Sequence, residues 1–159
     1  MSVLSDNEIL DMINGGNLIS KDFSLSSLTP NGYDVRIGSI KLLEKVEEHI
    51  EVPAGSGFYV SSMEYFSFPD TVMGEIWIRS SYSRKGIIGS FGAIDAGFSG
   101  NLTLYFYNAS SSPIKLHSGD RIAQVVFHRL EQSAKSNYEQ RSGNYQFSKG
   151  ITLNSEKVK

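Results

Sequence analysis

Leu102-Thr103-Leu104-Tyr105-Phe106-Tyr107 is a run of aliphatic, β-branched and aromatic residues that ends at Asn108. Similar short runs occupy residues 33–37, 57–60, 74–78 and 121–127, and clusters of Gly, Asn, Asp, Ser or Pro divide the chain every 8 to 12 residues. Runs of this length and spacing are typical of strands joined by turns. The pattern therefore predicts an all-β sandwich, barrel or jelly roll.

One helical signal precedes these strands, and a polar arm follows them. Ser5 and Glu8 have the spacing of a capping box, an apolar run follows from Ile9, and Gly15 ends it. After Gln132 the apolar periodicity is lost, so residues 133–159 are expected to form an arm that lies over another surface. Because no internal repeat or second domain is visible, we expect residues 1–159 to form a single domain.

Composition and charge exclude several classes of protein. The chain is 40% apolar and 20% charged, with 15 basic and 17 acidic residues, so no general positive field attracts nucleic acid or an anionic membrane. It has no cysteine, which excludes a disulfide framework, a thiolate zinc site and a cysteine nucleophile. No apolar run approaches the ~20 residues that cross a bilayer. We expect a cytoplasmic protein without a membrane or nucleic-acid partner.

Four segments carry more chemistry than strand formation requires. Residues 79–86 combine three cations with three serines, a donor set that suits phosphate oxygens, although a solvated turn has the same composition. Residues 92–100 place Asp95 among three glycines and before Phe98. Such a carboxylate is an ordinary turn former, or it can orient water or bind a sugar hydroxyl. Residues 119–127 and 141–150 add a polar strand and an aromatic, basic part of the arm.

Together with residues 31–38, these segments resemble the five motifs of the trimeric dUTPase and dCTP deaminase superfamily in order and spacing. The resemblance extends from Leu4 to about Gly150. It implies an all-β fold, a distorted jelly roll or β-barrel of the dUTPase-like type with one short N-terminal helix. It further implies a homotrimer with active sites between subunits, a deoxyuridine or deoxycytidine triphosphate as ligand, and Mg²⁺ held mainly by the phosphates.

The resemblance also implies roles for individual residues. Asp95 would meet the 3′-hydroxyl of deoxyribose and, in a diphosphatase, orient the attacking water. Asp34 would be a structural or metal-associated carboxylate. The predicted substrate-binding residues are Arg79, Ser80, Ser81, Arg84, Gly92, Ile94, Phe98, Tyr105, Gln124, Tyr138, Tyr145 and Lys149.

Departures from the family pattern separate its two branches. The N-terminal helix and the sequence from Tyr33 to Gly38 resemble the dCTP deaminase branch. In the deaminases, however, a catalytic Glu stands three residues before an Asn, where this sequence has Tyr105 before Asn108. With an ordinary pKa of ~10, tyrosine is a poor general base at neutral pH. Phe91 also stands where a small alanine is usual and would reshape the base pocket.

These departures favour a dUTP diphosphatase, which hydrolyses dUTP to dUMP and diphosphate. In this prediction Asp95 is the catalytic residue, and Mg²⁺ is the cofactor. Two alternatives stay open from the sequence. One is a dCTP deaminase, with or without diphosphatase activity, and the other is a deoxynucleotide-binding protein without turnover.

Overall fold

The computed structural model describes residues 2–155, and strands make up most of its regular structure. The strands are β1 (Ser2–Val3), β2 (Leu18–Lys21), β3 (Leu28–Thr29), β4 (Gly32–Leu42), β5 (Lys45–Glu47), β6 (His49–Val52), β7 (Gly57–Ser62), β8 (Tyr65–Ser67), β9 (Val72–Ile78), β10 (Ile87–Gly89), β11 (Ala93–Ile94), β12 (Ser99–Gly100), β13 (Thr103–Asn108), β14 (Ile114–His117) and β15 (Arg121–Arg129). The helices are α1 (Asp6–Asn14), α2 (Ser80–Ser83) and α3 (Tyr138–Arg141), with a 3₁₀ turn at Leu25–Ser27. The predicted all-β fold with one N-terminal helix is confirmed.

The capping signals at the N-terminus form as the sequence predicts. The Ser5 side chain accepts a hydrogen bond from the backbone N–H of Glu8, and the Glu8 carboxylate accepts one from the backbone N–H of Ser5. Gly15 caps the other end of α1. Within residues 2–155, no helix is long and apolar enough to cross a membrane.

The main sheet has the order β10-β13-β7-β4-β15-β9-β11, with β1 on β15 and with β3 and β5 on β4. Two smaller sheets, β12-β8-β2 and β14-β6, complete the described fold. The long strand β4 pairs with β15 near its start and with β7 near its end. Gly38 lies where the partner changes, and a Cβ there would be 2.9 Å from the Ser61 hydroxyl and 3.0 Å from the Ser62 carbonyl oxygen. The absence of a side chain therefore allows the strands to cross closely.

Side-chain alternation along the strands separates the core from the surface. On β13, Leu104 and Phe106 are buried, while Tyr105 and Tyr107, which alternate with them, are exposed. Phe106 stacks on Phe58 of β7 with 5.4 Å between ring centroids. The same alternation that fills the core thus directs Tyr105 to the opposite face of the sheet.

A buried carboxylate joins β4 to the turn after β7. Glu64 is fully buried and lies 2.7 Å from the Arg36 Nε, and it accepts hydrogen bonds from the Arg36 backbone N–H and the Tyr33 hydroxyl. Burial and the neighbouring charge of Glu64 raise the pKa of Tyr33 to about 12. The three donors satisfy the carboxylate, which would otherwise be costly to bury.

The raised pKa of Tyr33 predicts a loss of stability at high pH. In the unfolded chain the phenol ionises near its ordinary value of 10.0, so its contribution is full below that pH and is lost as the pH rises to about 12. Two pKa units correspond to about 3 kcal/mol. We expect the free energy of unfolding, measured with urea, to fall less steeply above pH ~10 in Tyr33→Phe than in the wild type.

The control is Tyr107→Phe, because Tyr107 is 39% exposed on β13. It should follow the wild-type profile. Parallel profiles for Tyr33→Phe and the wild type above pH ~10 would contradict the assignment.

Candidate functional site

The structure divides the predicted site residues between two regions. In the first, Arg79 follows β9 and is the N-cap of α2, the exposed residues Ser80 and Ser81 begin α2, and exposed Arg84 follows it. Gln124 of β15 pairs in register with Asp34 of β4, beside this turn. These residues bring together the hydroxyl, guanidinium and amide donors that the sequence assigned to phosphate binding.

Asp34 is the centre of the first region. Its carboxylate lies 2.9 Å from Arg79 Nε and 3.7 Å from an Arg121 guanidinium nitrogen, and it accepts a 3.5 Å hydrogen bond from Gln124 Nε2. Arg79 also donates to the Arg121 carbonyl oxygen at 2.9 Å. Burial raises the pKa of Asp34, and the charges of the two arginines oppose that rise. The arrangement fixes the Arg79 guanidinium while leaving its other donors available.

The contacts of Asp34 do not fit a magnesium ligand. Its carboxylate is already engaged by Arg79 and Arg121. Residues 2–155 contain no group of three or more His, Cys, Asp or Glu that could hold a metal ion. The metal role of Asp34 thus stays a prediction that its surroundings do not support.

The second region is a cavity of about 460 Å³ beside the hairpin that carries Asp95. Its size is ordinary for a small-molecule site. Seven of the predicted residues line it: Gly92, Ile94, Asp95, Phe98, Tyr105, Tyr138 and Tyr145. Among the lining residues that the structure describes, Asp95 is the single carboxylate. Lys149 is exposed and does not line the cavity.

Aromatic rings form one wall of the cavity. Tyr105 pairs with Tyr59 of β7, and their ring centroids are 5.0 Å apart. The Tyr105 hydroxyl lies over Gly57, where a Cβ would overlap it. Phe91 lies over Gly89 in the same way and packs edge-on against Phe106 at 5.0 Å. A glycine therefore makes room for each ring, Gly57 on the neighbouring strand for Tyr105 and Gly89, two residues earlier in the chain, for Phe91.

Sequence reasoning did not find Tyr59 or Gly57. The alternation within residues 57–62 indicates which side chains share a face, but the pairing of β7 with β13 decides that Tyr59 meets Tyr105. That register depends on contacts between strands more than 40 residues apart in the sequence. A single sequence carries no direct signal of it.

The three glycines of the Asp95 hairpin have different surroundings. A Cβ on Gly92 would have nothing within 4 Å. A Cβ on Gly97 would be 2.6 Å from Asn137 Cβ, and one on Gly100 would be 2.6 Å from the Ser148 hydroxyl. The sequence suggested close approach of a ligand at these glycines. In the structure, Gly97 and Gly100 instead accommodate the chain's own C-terminal arm.

Within one chain, Arg79 lies far from Asp95. The pairing of β9 with β11 places Ala93 opposite Glu75 and Ile94 opposite Gly74, which puts Asp95 about level with Met73. Arg79 comes six residues after Met73, just beyond the end of β9. At about 3.3 Å per residue, the separation is roughly 20 Å. Ile76 of β9 lines the cavity, but one chain does not bring Arg79 to the Asp95 carboxylate.

Comparison with known proteins assigns the family. The model of the dCTP deaminase-like family matches residues 3–130. The chain belongs to this family. The dCTP deaminase of Thermococcus gammatolerans is 41% identical over 148 residues, which cover 89% of this chain and 92% of the relative. The dUMP-forming dCTP deaminase of a Hydrogenobaculum species is 36% identical over 148 residues, which cover 82% of this chain and 84% of the relative.

Solved structures show the same fold. The 2′-deoxycytidine 5′-triphosphate deaminase of Agrobacterium tumefaciens aligns with a TM-score of 0.71 and 22% identity over 81% of this chain and 49% of that longer chain. The dUTPase of Streptococcus mutans aligns with a TM-score of 0.52 and 21% identity over 74% of this chain and 97% of that chain. The predicted dUTPase-like type of β-fold is thus confirmed.

The predicted dUTP diphosphatase is wrong as the main function of this family member. Relatives named dCTP deaminase reach 41% identity, whereas the dUTPase from Streptococcus mutans is 21% identical and shows likeness of fold alone. The prediction rested on Tyr105 at the position of the deaminase Glu. The absence of that Glu argues against deamination. The phosphate and sugar motifs are common to both branches, so they provide no positive evidence for dUTP hydrolysis.

The surroundings of the glycines predict how the arm responds to substitution. Gly100→Ala adds a Cβ that meets Ser148 backbone nitrogen at 3.0 Å, at a residue whose φ is 152°. The arm should therefore detach. We expect trypsin to cut after Lys149 about tenfold faster than in the wild type, because local opening controls cleavage.

Gly92→Ala is the matched control, since its Cβ enters open space on the same hairpin. Cleavage of this variant should proceed at the wild-type rate. Equal cleavage rates for both variants would show that the arm does not depend on the contact at Gly100.

Proposed function

We propose that this chain binds dCTP with its cytosine and sugar in the Asp95 cavity and converts the cytosine to uracil, with release of ammonia. The proposal is supported by the 41% identity to a dCTP deaminase over 89% of the chain, together with the position of Asp95 in an aromatic cavity. Aromatic rings offer faces on which a pyrimidine can stack. Open space around Gly92 leaves room for the ligand beside Asp95.

The proposed reaction adds the oxygen of water to the C4 atom of cytosine and expels the amino group as ammonia. A group near the site must accept a proton from water and return protons to the ring and the leaving amine. Asp95 is the carboxylate among the described cavity residues, so we assign this role to it. Phe98, which is buried against Tyr138 with 5.5 Å between ring centroids, would pack on the sugar.

A second candidate is nucleotide binding without turnover. The observation that favours it is Tyr105, which stands at the position that a catalytic Glu occupies in the deaminases that this sequence resembles. Its hydroxyl lies over Gly57, and its ring contacts Tyr59. A ring held in this way offers a stacking surface, but it has no carboxylate oxygen that could accept a proton from water.

Incubation with dCTP distinguishes the two candidates. We expect ammonia and a deoxyuridine nucleotide, dUTP or dUMP, to form in the presence of Mg²⁺, with products identified by ion-exchange chromatography. Asp95→Asn should lower turnover at least ~10²-fold, because it removes the proton acceptor, whereas Tyr105→Phe should change turnover less than ~3-fold.

Calorimetric titration with dCTP completes the experiment. Binding without product would establish the second candidate and reject deamination. If Tyr105→Phe abolished ammonia release while Asp95→Asn retained it, the role assigned to Asp95 would be wrong.

We further propose that the chain assembles as a homotrimer in which the Arg79 region of one subunit completes the Asp95 cavity of another. The support is the roughly 20 Å between Arg79 and Asp95 within a chain, which separates the predicted phosphate donors from the Asp95 carboxylate. Magnesium would enter with the triphosphate rather than on Asp34, whose carboxylate is paired with arginines. The cytoplasmic location stays a prediction.

Shared sites predict complementation between two inactive variants. Arg79→Ala and Asp95→Asn should each lose activity alone. When the two chains are co-refolded in equal amounts, about a quarter of the sites should combine an intact Arg79 with an intact Asp95 and recover function. Activity with dCTP, or dCTP binding, is the measurement. A mixture that stays inactive after confirmed subunit exchange would contradict a site between subunits.

A further inference from the structure

The side-chain amide of Gln146 bridges two backbone groups of the Asp95 hairpin. Its Oε1 accepts a 3.0 Å hydrogen bond from the Ser99 backbone N–H, and its Nε2 donates a 3.0 Å hydrogen bond to the Gly97 carbonyl oxygen. The amide thus uses both its acceptor and its donor on the same turn. It replaces the pairing that a neighbouring strand would provide at this point.

The backbone beyond Gln146 extends this contact. The Phe147 N–H donates to the Ser99 carbonyl oxygen at 2.7 Å, and the Asn101 N–H donates to the Ser148 carbonyl oxygen at 2.9 Å. The Ser148 hydroxyl donates to the Asn101 carbonyl oxygen at 2.8 Å. The arm therefore binds backbone groups of Gly97, Ser99 and Asn101, while β8 pairs with the hairpin at Ser99 and Gly100.

Phe147 adopts an unusual backbone conformation to make these contacts. Its φ is 62°, in the left-handed region that a side chain with a Cβ rarely occupies, and the side chain is 57% exposed. Burial of the ring therefore does not explain the conformation. Hydrogen bonds on either side of Phe147 hold it, which indicates that the position of this segment is constrained by the hairpin.

Two glycines of the hairpin also make room for the arm. Gly97 has a φ of 85° and accepts the close approach of Asn137, and Gly100 accepts that of Ser148. The turn from Asp95 to Phe98, which contains Gly97, is closed by a hydrogen bond from the Phe98 N–H to the Asp95 carbonyl oxygen at 3.1 Å. A turn with glycine at its centre has other conformations available, so outside contacts must select one of them.

We propose that Gln146 is a positioning residue, which holds the Asp95 hairpin of its own chain so that Asp95 and Phe98 face the cavity. This inference rests on the proposed function for its catalytic consequence. Without the amide of Gln146, the Gly97 carbonyl and the Ser99 N–H would turn to water, and the glycine-rich turn would sample other conformations. A carboxylate displaced by about 1 Å loses much of its effect on the reaction.

The test compares Gln146→Met with Gln132→Met. Methionine retains the length of glutamine and removes both hydrogen bonds. Gln132 is exposed, immediately precedes the arm, and serves as the control. In the free protein, hydrogen exchange of the Ser99 amide should be about tenfold faster in Gln146→Met than in the wild type or the control.

A third variant and the kinetics separate positioning from a merely structural role. Gln146→Glu retains an acceptor for the Ser99 N–H, so it should restore part of the protection at that amide. At a temperature where all variants are folded, Gln146→Met should lower kcat for dCTP about tenfold or more and change KM less than about threefold.

The outcomes decide the proposal independently of the function. Unchanged exchange at Ser99 in Gln146→Met would overturn it, as would faster exchange with wild-type turnover and dCTP binding. If the wild type neither bound nor converted dCTP, the proposed function would fail. The exchange comparison would still decide whether Gln146 holds the hairpin.

Discussion

The eleven residues of β4 pair with two different strands, and the site depends on this change of partner. One half of β4 lies beside β15, which carries Gln124, and the other lies beside β7, which carries Tyr59. Gly38 allows the change, and the ion pair between partly exposed Arg36 and buried Glu64 lies next to it. A side chain at Gly38 would separate β4 from β7. The region around Arg79 and the aromatic cavity would then no longer be held at fixed positions relative to each other.

Much of this architecture could be predicted from the sequence. Each of the five predicted runs coincides with a strand, apart from Leu102, which precedes β13, and the capping box at Ser5 and Glu8 forms in α1. The short strands of two to four residues were not predicted, because they depend on pairing with distant partners rather than on local propensity. Seven of the residues named from the superfamily resemblance line one cavity, since their motifs are local in sequence, and their roles in binding stay predictions.

What could not be predicted involves contacts between distant residues. Tyr59 contributes through its register with Tyr105, and Gln146 contributes through an amide that reaches a hairpin nearly 50 positions away in the chain. Gln146 lies in the segment 141–150 that the sequence singled out, but nothing in that segment indicates which side chain reaches the hairpin. The wrong prediction of a dUTP diphosphatase has another cause. It treated Tyr105 only as the absence of the catalytic Glu of the deaminases. Its position over Gly57 shows that the residue also has a structural place in the wall of the cavity.

The cavity therefore depends on the arm for part of its structure. The aromatic wall is built from strand residues, whereas Asp95 and Phe98 lie on a glycine-rich turn whose backbone is completed by residues 146–148. This arrangement suits a small ligand with a flat base and a polar sugar, because the wall offers aromatic faces and the turn offers a carboxylate. Variation in the arm can thus alter the chemistry without disturbing the core.

The pairing of Arg79 with Asp34 has a consequence for conformational entropy. A free arginine loses rotamer freedom when it binds an anion, at a cost of about 0.5–1.5 kcal/mol. Here the Asp34 carboxylate and the Arg121 carbonyl oxygen already hold the Arg79 guanidinium. That freedom is lost when the chain folds, so an arriving phosphate meets a side chain whose orientation is set. The buried carboxylate therefore lowers the entropic cost of the proposed anion binding, while its own charge opposes that binding.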